Sequence, residues 1–288
     1  MKLSVSLYSF HQYAHDRVSG VKDCIKKAAE IGFEGLDFVE VGLPYEDYLE
    51  YARDINKYCK ELCITPVCFC TGADFLRCED IQKEVEKVKR NIDIAKAYGC
   101  RIFRHDISSG FPDGRKDSES YDKAIEIIAP AIREITKYAE ENGIINTTEN
   151  HGYFSQDSDR VEKLIRAVNE PNFGALVDIG NFLCADEDTV SAVKRLSPYT
   201  RHAHAKDFLY RSQLTEADDP NKGWFGSRGG NHLKGTIVGE GDVPVAQCLA
   251  SLKENGYDGY LTLEFEGIED PLYGIEMGYN NLKSILNS

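Results

Sequence analysis

The stretch Thr-Thr-Glu-Asn-His-Gly at residues 147–152 follows apolar residues and ends a predicted strand on the carboxylate of Glu149. Three later stretches have the same form, an apolar or β-branched run that stops on a carboxylate or an imidazole: Ala-Leu-Val-Asp at 175–178, His-Ala-His-Ala-Lys-Asp at 202–207 and Leu-Thr-Leu-Glu at 261–264. Sequence of helical character separates the four stretches. We therefore expect four successive strands whose ends meet at one rim of a closed parallel barrel, where strand ends carry the functional groups.

The rest of the chain repeats this alternation of strand and helix. Strands are predicted at residues 3–8, 35–40, 64–70 and 101–105, and helices with an apolar stripe at 21–31, 45–62 and 80–98. Glycine stands between helix and strand at Gly32, Gly99, Gly143 and Gly256, where it ends a helix at little conformational cost. A barrel of eight such units needs about 250 residues. We therefore predict a single (β/α)8 TIM barrel of class α/β that spans residues 1–288.

Two segments carry specific expectations. The predicted helix at residues 118–142 contains Pro130, so we expect a kink or two abutting helices there. Residues 208–238 are predicted to be irregular and are longer than a usual loop. Because this segment follows the strand of His204, we expect it to form a lid or a substrate wall on the same rim. The alternative is a packed or disordered surface excursion.

The composition argues against several partners and locations for the protein. The formal net charge of −14 argues against a nucleic-acid backbone as the main partner. The N-terminal residues do not form a secretory signal, and apolar runs of membrane-spanning length are absent. Nine cysteines without such a signal predict reduced thiols and a cytoplasmic location. Five of them crowd together without a paired zinc-knuckle spacing, and we interpret these as small buried hydrophobic residues: Cys59, Cys63, Cys68, Cys70 and Cys78.

The four strand ends together predict a metal site. Glu149, Asp178 and Glu264 would repel one another on one rim and would have raised pKa values without a counter-charge. A divalent cation removes this repulsion, and His204 adds a neutral nitrogen ligand. Three carboxylates, one imidazole and no thiolate suit Mn²⁺, Mg²⁺, Co²⁺ or Zn²⁺. We predict that these four residues bind one divalent metal ion, with Mn²⁺ preferred.

Five motifs together resemble a known family. They are Glu-Asn-His-Gly at 149–152, Val-Asp-Ile-Gly-Asn at 177–181, His-Ala-His-Ala-Lys-Asp at 202–207, Gly-Glu-Gly-Asp at 239–242 and Gly-Tyr-Asp-Gly-Tyr-Leu-Thr-Leu-Glu at 256–264. The sequence is similar to the xylose isomerase-like TIM barrels, described as sugar phosphate isomerases and epimerases. The resemblance implies that Glu149, Asp178, His204 and Glu264 bind one catalytic metal ion. It also implies that Glu149 and Glu264 exchange protons with the substrate, as in the ketose 3-epimerase branch.

The preferred function is isomerisation or epimerisation of a sugar or sugar phosphate. A cation polarises a ketose carbonyl and stabilises an enediolate, and a nearby carboxylate removes the adjacent proton. The alternative is a lyase on the same site, similar to inosose or dehydroshikimate dehydratases or to C-glycoside-cleaving enzymes. Asn181 stands where the epimerase branch has a histidine, and this departure leaves room for the lyase. An endonuclease IV-like nuclease is disfavoured because Asn181 also replaces a zinc-binding histidine of that branch.

Further residues are predicted around the metal. His151 is a candidate catalytic acid or base. Candidate substrate contacts are His105, Lys206, Glu40, Trp224 and Arg228, with His11 and His232 as weaker loop candidates. His202 is interpreted as a structural neighbour of His204. The expected partner is a small carbohydrate or polyol, without nucleic acid or membrane, and a homo-oligomer stays open.

Overall fold

The computed structural model describes residues 1–14, 18–112, 120–216 and 218–288. The strands are β1 (Lys2–Ser6), β2 (Gly35–Val39), β3 (Thr65–Thr71), β4 (Ile102–His105), β5 (Ile145–Glu149), β6 (Phe173–Asp178), β7 (Thr200–Ala205), β8 (Asp207–Arg211), β9 (Trp224–Gly226), β10 (His232–Thr236) and β11 (Tyr260–Leu263). Within these residues, eight parallel strands close into a barrel in the order β1-β11-β7-β6-β5-β4-β3-β2. The predicted barrel is therefore confirmed.

The helices surround the barrel, one after each barrel strand. They are α1 (Val21–Ile31), α2 (Tyr45–Glu61), α3 (Ile81–Tyr98), α4 (Tyr121–Glu141), α5 (Ser158–Val168), α6 (Thr189–Leu196), α7 (Val245–Glu254) and α8 (Pro271–Asn287). The residues next to the helices determine where they begin and end, as α3 illustrates. The Asp80 side chain accepts two backbone N–H groups at the start of α3, and Gly99 ends that helix with φ of 85°. None of the helices in the described ranges is long and apolar enough to cross a membrane.

Helix α4 continues through Pro130 as one helix, so the expectation of two abutting helices is wrong. Pro130 and Glu126 both lie on the exposed face. The carbonyl that loses its donor four residues before the proline therefore faces water, which lowers the cost of the missing hydrogen bond. The predicted start of this helix at Ser118 and Glu119 lies outside the described residues.

Alternation along the barrel strands separates an apolar layer from a polar interior. Outward residues such as Phe38 pack against the helices, with its ring stacked 4.3 Å from that of Tyr98 on α3. Inward residues form a buried polar floor, in which Asp37 of β2 contacts His202 of β7 and Thr262 of β11. This polar floor lies below the ends of the strands that carry the predicted metal ligands.

Residues 208–238 were expected to be irregular, and the structure corrects this. Strands β8, β10 and β9 form a three-stranded antiparallel sheet, with Leu233 paired to Tyr210 and to Phe225. A small separate core of Cys184, Phe208 and Leu233 stabilises the sheet. Residues 212–231 separate β8 from β10, so local pattern does not reveal that pairing. Strands β9 and β10 form a hairpin across residues 227–231, which the sequence analysis missed. We call this element the flap sheet.

The clustered cysteines are only partly the buried hydrophobic residues that we expected. Cys59 and Cys68 are buried, whereas Cys63 is exposed and Cys70 and Cys78 are half-buried. Cys70 lies on the inward face of β3 and lines the cavity described below. Its position follows from the period of two along a strand.

Candidate metal centre and active site

The four predicted ligands meet at the carboxyl ends of neighbouring strands. Glu149 and Asp178 are the last residues of β5 and β6, His204 lies in β7, and Glu264 directly follows β11. One ligand atom from each residue lies within 4.8 Å of those of the other three. Because β5, β6, β7 and β11 are adjacent in the barrel, their ends converge without any rearrangement of the chain.

The donor atoms of this group fit a divalent cation. Asp178 Oδ2 and His204 Nδ1 are buried and have no hydrogen-bond partner. Buried polar atoms without a partner are rare in folded proteins, and here both point to the same ligand set. Burial is the largest influence on the pKa of Asp178; together with the charges of Glu149 and Glu264 it outweighs Lys206 and raises this pKa to about 6. A cation would give both unpartnered atoms a ligand bond and would relieve the repulsion among the three carboxylates.

Hydrogen bonds within β6 and its loop hold Asp178 in place. Its Oδ1 atom accepts the backbone N–H of Gly180 at 2.8 Å and of Asn181 at 3.2 Å. The side chain of Asn150 bonds the backbone of Asp178 twice, each time at 2.9 Å. A Cβ on Gly180 would lie 2.5 Å from the carbonyl oxygen of Lys206, so only glycine allows these two loops to approach so closely.

Asp37 orients the histidine ligand, a role that the sequence analysis missed. Its Oδ2 atom lies 2.9 Å from His204 Nε2 and 2.6 Å from His202 Nε2. Burial raises the pKa of Asp37, but its two histidine neighbours outweigh burial and lower it to about 2. The contact leaves His204 Nδ1 directed toward Glu264, whose Oε1 is 3.8 Å away. A carboxylate that fixes the ring of a metal-binding histidine is a common arrangement. The available signal was a lone aspartate in the apolar strand Gly35–Val39.

Arg104 lies on one side of the ligand group and was also missed. Its Nη2 atom is 2.7 Å from Glu149 Oε2 and 2.7 Å from Asp106 Oδ1. Asn181 Nδ2 donates to the other oxygen of Glu149 at 2.9 Å, so both oxygens of this carboxylate are engaged. Asp106 Oδ1 also lies 2.9 Å from His151 Nδ1. Burial raises the pKa of Asp106, but Arg104 and His151 lower it overall, so Asp106 stays ionised.

Lys206 lies on the side of the ligand group opposite Arg104. Its Nζ atom is 2.9 Å from Glu264 Oε2, 3.1 Å from Glu266 Oε2 and 3.7 Å from Asp178 Oδ2. Burial lowers the pKa of Lys206, but these carboxylates outweigh it and the pKa is raised well above its usual value. Lys206 is therefore an ammonium group. The hydroxyl of Tyr8 donates to Glu266 at 3.2 Å and extends the network across the rim.

These groups surround a cavity of about 370 Å³. Its lining includes Glu40, Arg104, His151, Lys206 and Glu266 together with three of the four ligands. A neighbouring cavity of about 220 Å³ shares His151, Lys206 and Glu266 with the first. Phe208 of β8 and Phe225 of β9 line the second cavity, so the flap sheet supplies one of its walls.

The structure brings some of the predicted substrate contacts to this cavity and not others. Glu40 and Lys206 line it, and so does His151, the predicted catalytic acid or base. His105 is fully buried, with Nδ1 2.7 Å from the carbonyl oxygen of Asp106, and burial lowers its pKa to about 4. The strand alternation turns His105 toward the helices and Arg104 into the barrel. The structure therefore corrects the assignment of His105 to the substrate.

The two flap-sheet candidates also lie away from both cavities. The ammonium nitrogen of Lys234 lies over Trp224, 6.0 Å from the centre of the indole ring. Arg228 is 2.8 Å from Asp157 Oδ2 and donates to the carbonyl oxygen of Tyr153. Both side chains hold the flap sheet together or anchor it to the barrel, and we withdraw them as substrate contacts.

The chain is similar to known proteins in both sequence and structure. The inosose dehydratase of Clostridium perfringens is 24% identical over 275 residues, which cover 90% of this chain and 86% of that protein. Among solved structures, the IOLI protein with a zinc atom has a TM-score of 0.77 at 14% identity and covers 100% of this chain and 98% of its own. The 3-keto-D-glucoside 4-epimerase of E. coli has a TM-score of 0.71 at 12% identity over 100% of both chains. At these identities the solved structures establish the fold alone.

A family model carries the assignment further than any single relative. The model described as xylose isomerase-like TIM barrel matches residues 25–285, which include all four predicted ligands and both sides of the cavity. This match confirms the resemblance inferred from the five motifs. The chain belongs to the xylose isomerase-like TIM barrel family.

Proposed function

We propose that this protein is a metal-dependent dehydratase of an uncharged polyhydroxy ketone. The enzyme removes a proton next to the carbonyl and expels a hydroxyl group from the following carbon. One observation carries the choice of a lyase over an epimerase: Arg104 and Lys206 hold the two glutamates that a two-base epimerisation would use. The similarity to inosose dehydratases over most of the chain supports the same choice.

The cation held by Glu149, Asp178, His204 and Glu264 would polarise the ketone and stabilise the negative charge that develops on its oxygen. The glutamates themselves are poor bases. Glu149 has both oxygens bonded, and Lys206 and His204 lower the pKa of Glu264 even though burial raises it. A strongly stabilised carboxylate has little tendency to accept a proton, so both glutamates serve as ligands.

His151 is the base in this proposal. Its Nδ1 atom is held by Asp106 at 2.9 Å, which leaves Nε2 for the substrate. Burial lowers the pKa of His151, but Asp106 outweighs burial and raises it overall. A carboxylate that orients a histidine in this way increases the basicity of the free nitrogen. The side chain is 45% exposed and lines both cavities, so a substrate can reach it.

Lys206 is the acid. A cation bound by Asp178 and Glu264 would offset the two carboxylate charges that raise the pKa of Lys206 in the metal-free site. The ammonium group would then donate a proton to the departing hydroxyl, which leaves as water when the carbon–oxygen bond breaks. His151 and Lys206 come from β5 and β7 sides of the cavity, separated by β6, so base and acid approach the substrate from different directions. After product release, His151 returns its proton to solvent and Lys206 regains one.

Epimerisation or isomerisation is the second candidate. Glu149 and Glu264 both line the cavity, which is the placement that a two-base exchange requires. The fold likeness to a 3-keto-D-glucoside 4-epimerase is consistent with it. In that case one glutamate would leave its cationic partner during turnover.

The test is a solvent-exchange assay with the Mn²⁺-loaded protein in D₂O. Inososes, ketoses, ketose phosphates and 3-keto-glycosides are incubated and followed by NMR. Proton exchange with loss of water is the expected result for an uncharged ketone. An epimer or aldose without water loss would establish the second candidate. If no ketone of the panel exchanges, the enolisation idea is wrong.

Amino-acid substitutions test which residues bind the metal, remove the proton and protonate the leaving group. Glu149→Gln and Glu264→Gln should abolish turnover, and Asp178→Ala and His204→Ala should also lose the metal. His151→Gln should lower proton exchange and elimination together by about 10²–10⁴-fold. Lys206→Gln should slow elimination more than exchange, because only the second step needs the acid. Equal loss of both in Lys206→Gln, or normal activity and metal content in all four ligand variants, would contradict these roles.

A further inference from the structure

The cavity carries more negative than positive charge. Carboxylates of Glu40, Asp106, Glu149, Glu264 and Glu266 line it, and Asp178 belongs to the ligand group. The permanent cations among its lining residues are Arg104 and Lys206. Even with a divalent cation bound, these carboxylates outnumber the positive charges. An anionic substrate would therefore enter against the local potential.

Both cations are already neutralised by the protein. Lys206 has three carboxylates within 3.7 Å, so the removal of any one leaves two. Arg104 has two, and one of them, Glu149, belongs to the metal site. Removal of Asp106 would leave Arg104 with Glu149 as its one carboxylate partner, while the four predicted metal ligands stay in place.

The position of Asp106 is the position that a substrate anion would take. The Arg104 side chain is only 8% exposed, whereas that of Asp106 is 30% exposed and lines both the main cavity and the groove beside it. Both residues line the cavity, and the Asp106 carboxylate, 2.7 Å from Arg104 Nη2, is the more exposed of the two. Arginine binds carboxylates and phosphates well because several N–H groups point to one side.

We propose that Asp106 is a specificity-determining residue that occupies Arg104 and excludes carboxylated and phosphorylated ketones from the active site. This inference rests on the proposed function, since it concerns which ketones the enzyme accepts. It predicts that the natural substrate is an uncharged polyhydroxy ketone. It also predicts that removal of Asp106 opens an anion site beside the metal centre.

The test is calorimetric titration of sulfate, a divalent oxyanion that arginine binds, into the Mn²⁺-loaded protein. Asp106→Ala, which removes both the charge and the occupying atoms, should bind sulfate at least about tenfold more tightly than the unaltered protein. Asp106→Asn keeps the shape and should show a smaller gain. The gain should persist after the metal is chelated, because the new partner is Arg104. Should Asp106→Ala fail to fold, the isosteric Asp106→Asn still decides the outcome.

Glu40→Gln is the matched control. It removes one negative charge from the same cavity, and ion pairs between Glu40 and a cation are absent from the described residues. If Glu40→Gln gains as much sulfate affinity as Asp106→Asn, net charge alone governs anion binding and the proposal is overturned. Equal sulfate affinity of the unaltered protein and Asp106→Ala overturns it as well.

A kinetic readout separates specificity from a structural defect. With an uncharged ketone as substrate, sulfate should raise KM of Asp106→Ala without changing kcat, and should not affect the unaltered protein. Asp106→Ala should also have a lower kcat without sulfate, because Asp106 holds the base His151. The competitive effect of sulfate on KM is therefore the readout, since a merely structural defect would not produce it. The sulfate titration itself needs no turnover, so failure to find a dehydratase substrate would refute the proposed function and leave this test intact.

Discussion

His204 uses its two ring nitrogens for different partners. Nε2 lies 2.9 Å from Asp37, and Nδ1 faces the other predicted ligands. Burial lowers the pKa of the metal-free ring, but Asp37 and Glu264 outweigh burial and raise it well above its usual value. The raised pKa favours the protonated form of the metal-free imidazole, and a metal ion must displace that proton.

This displacement gives a pH prediction. Metal binding at pH 7 should release about one proton, and the affinity should fall about tenfold for each pH unit of acidification in that range. The sign follows from the raised pKa, since lower pH keeps the competing proton on the ring. Calorimetry in two buffers of different ionisation enthalpy measures the proton count. The count should be unchanged in His151→Gln, whose ring is not a ligand. Metal binding without proton release would show that His204 does not bind through Nδ1.

At the scale of elements, Asp207 ties the flap sheet to the barrel. This first residue of β8 accepts the backbone N–H groups of Phe208 and Gly239 at 2.9 Å, of Gly241 at 2.9 Å and of Val243 at 3.1 Å. A Cβ on Gly241 would lie 2.1 Å from Asp207 Oδ1, so the glycine is required by this contact. The Gly-Glu-Gly-Asp motif at 239–242 therefore wraps one carboxylate and fixes the exit of β10.

Asp207→Ala should lower the free energy of unfolding by at least ~2 kcal/mol, because it leaves several buried N–H groups without an acceptor. Urea denaturation measures the change. The control is Glu240→Ala in the same loop, an exposed position where a change within ~0.5 kcal/mol is expected. If the two variants are equally stable, the loop does not depend on Asp207.

At the scale of the molecule, the predicted ligand group joins four consecutive barrel strands, so metal binding would be coupled to folding. A metal present at 100 times its dissociation constant should stabilise the fold by about 2.7 kcal/mol. Without a metal ion, the raised pKa of Asp178 means that its ionised carboxylate destabilises the fold. Its folded-state pKa exceeds the unfolded value, so stability is present below the unfolded pKa and is lost as pH rises toward 6.

Asp178→Asn should therefore have two opposite effects at pH 7. The metal-free variant should melt at or above the temperature of the metal-free unaltered protein, because the uncompensated charge is gone. The same variant should lose most of the melting shift that Mn²⁺ produces in the unaltered protein. Thermal scans with and without chelator measure both. A lower melting temperature of the metal-free variant would mean that Asp178 stabilises the fold without metal.

Local pattern was enough to predict the barrel and the four residues that converge on one rim. Glu149, Asp178, His204 and Glu264 each end or follow a short apolar strand, and parallel strands place such ends on one rim. Tertiary structure was needed to choose between neighbours. The sequence analysis chose His105 and passed over its neighbour Arg104, and only the register of β4 against β3 and β5 turns Arg104 inward. A shift of one residue would exchange their faces.

Contacts between distant parts of the chain were beyond the reach of sequence pattern. Asp37 meets His204 across 167 positions, and Asp106 meets His151 across 45. The flap sheet likewise depends on strands that pair across a loop. Hydrophobic periodicity is a local property and specifies strands, helices and the order in which they follow one another. Barrel closure decides which side chains meet, because it brings opposite strands within hydrogen-bond distance, and so it alone determined the network that holds the metal ligands and the charge that surrounds them.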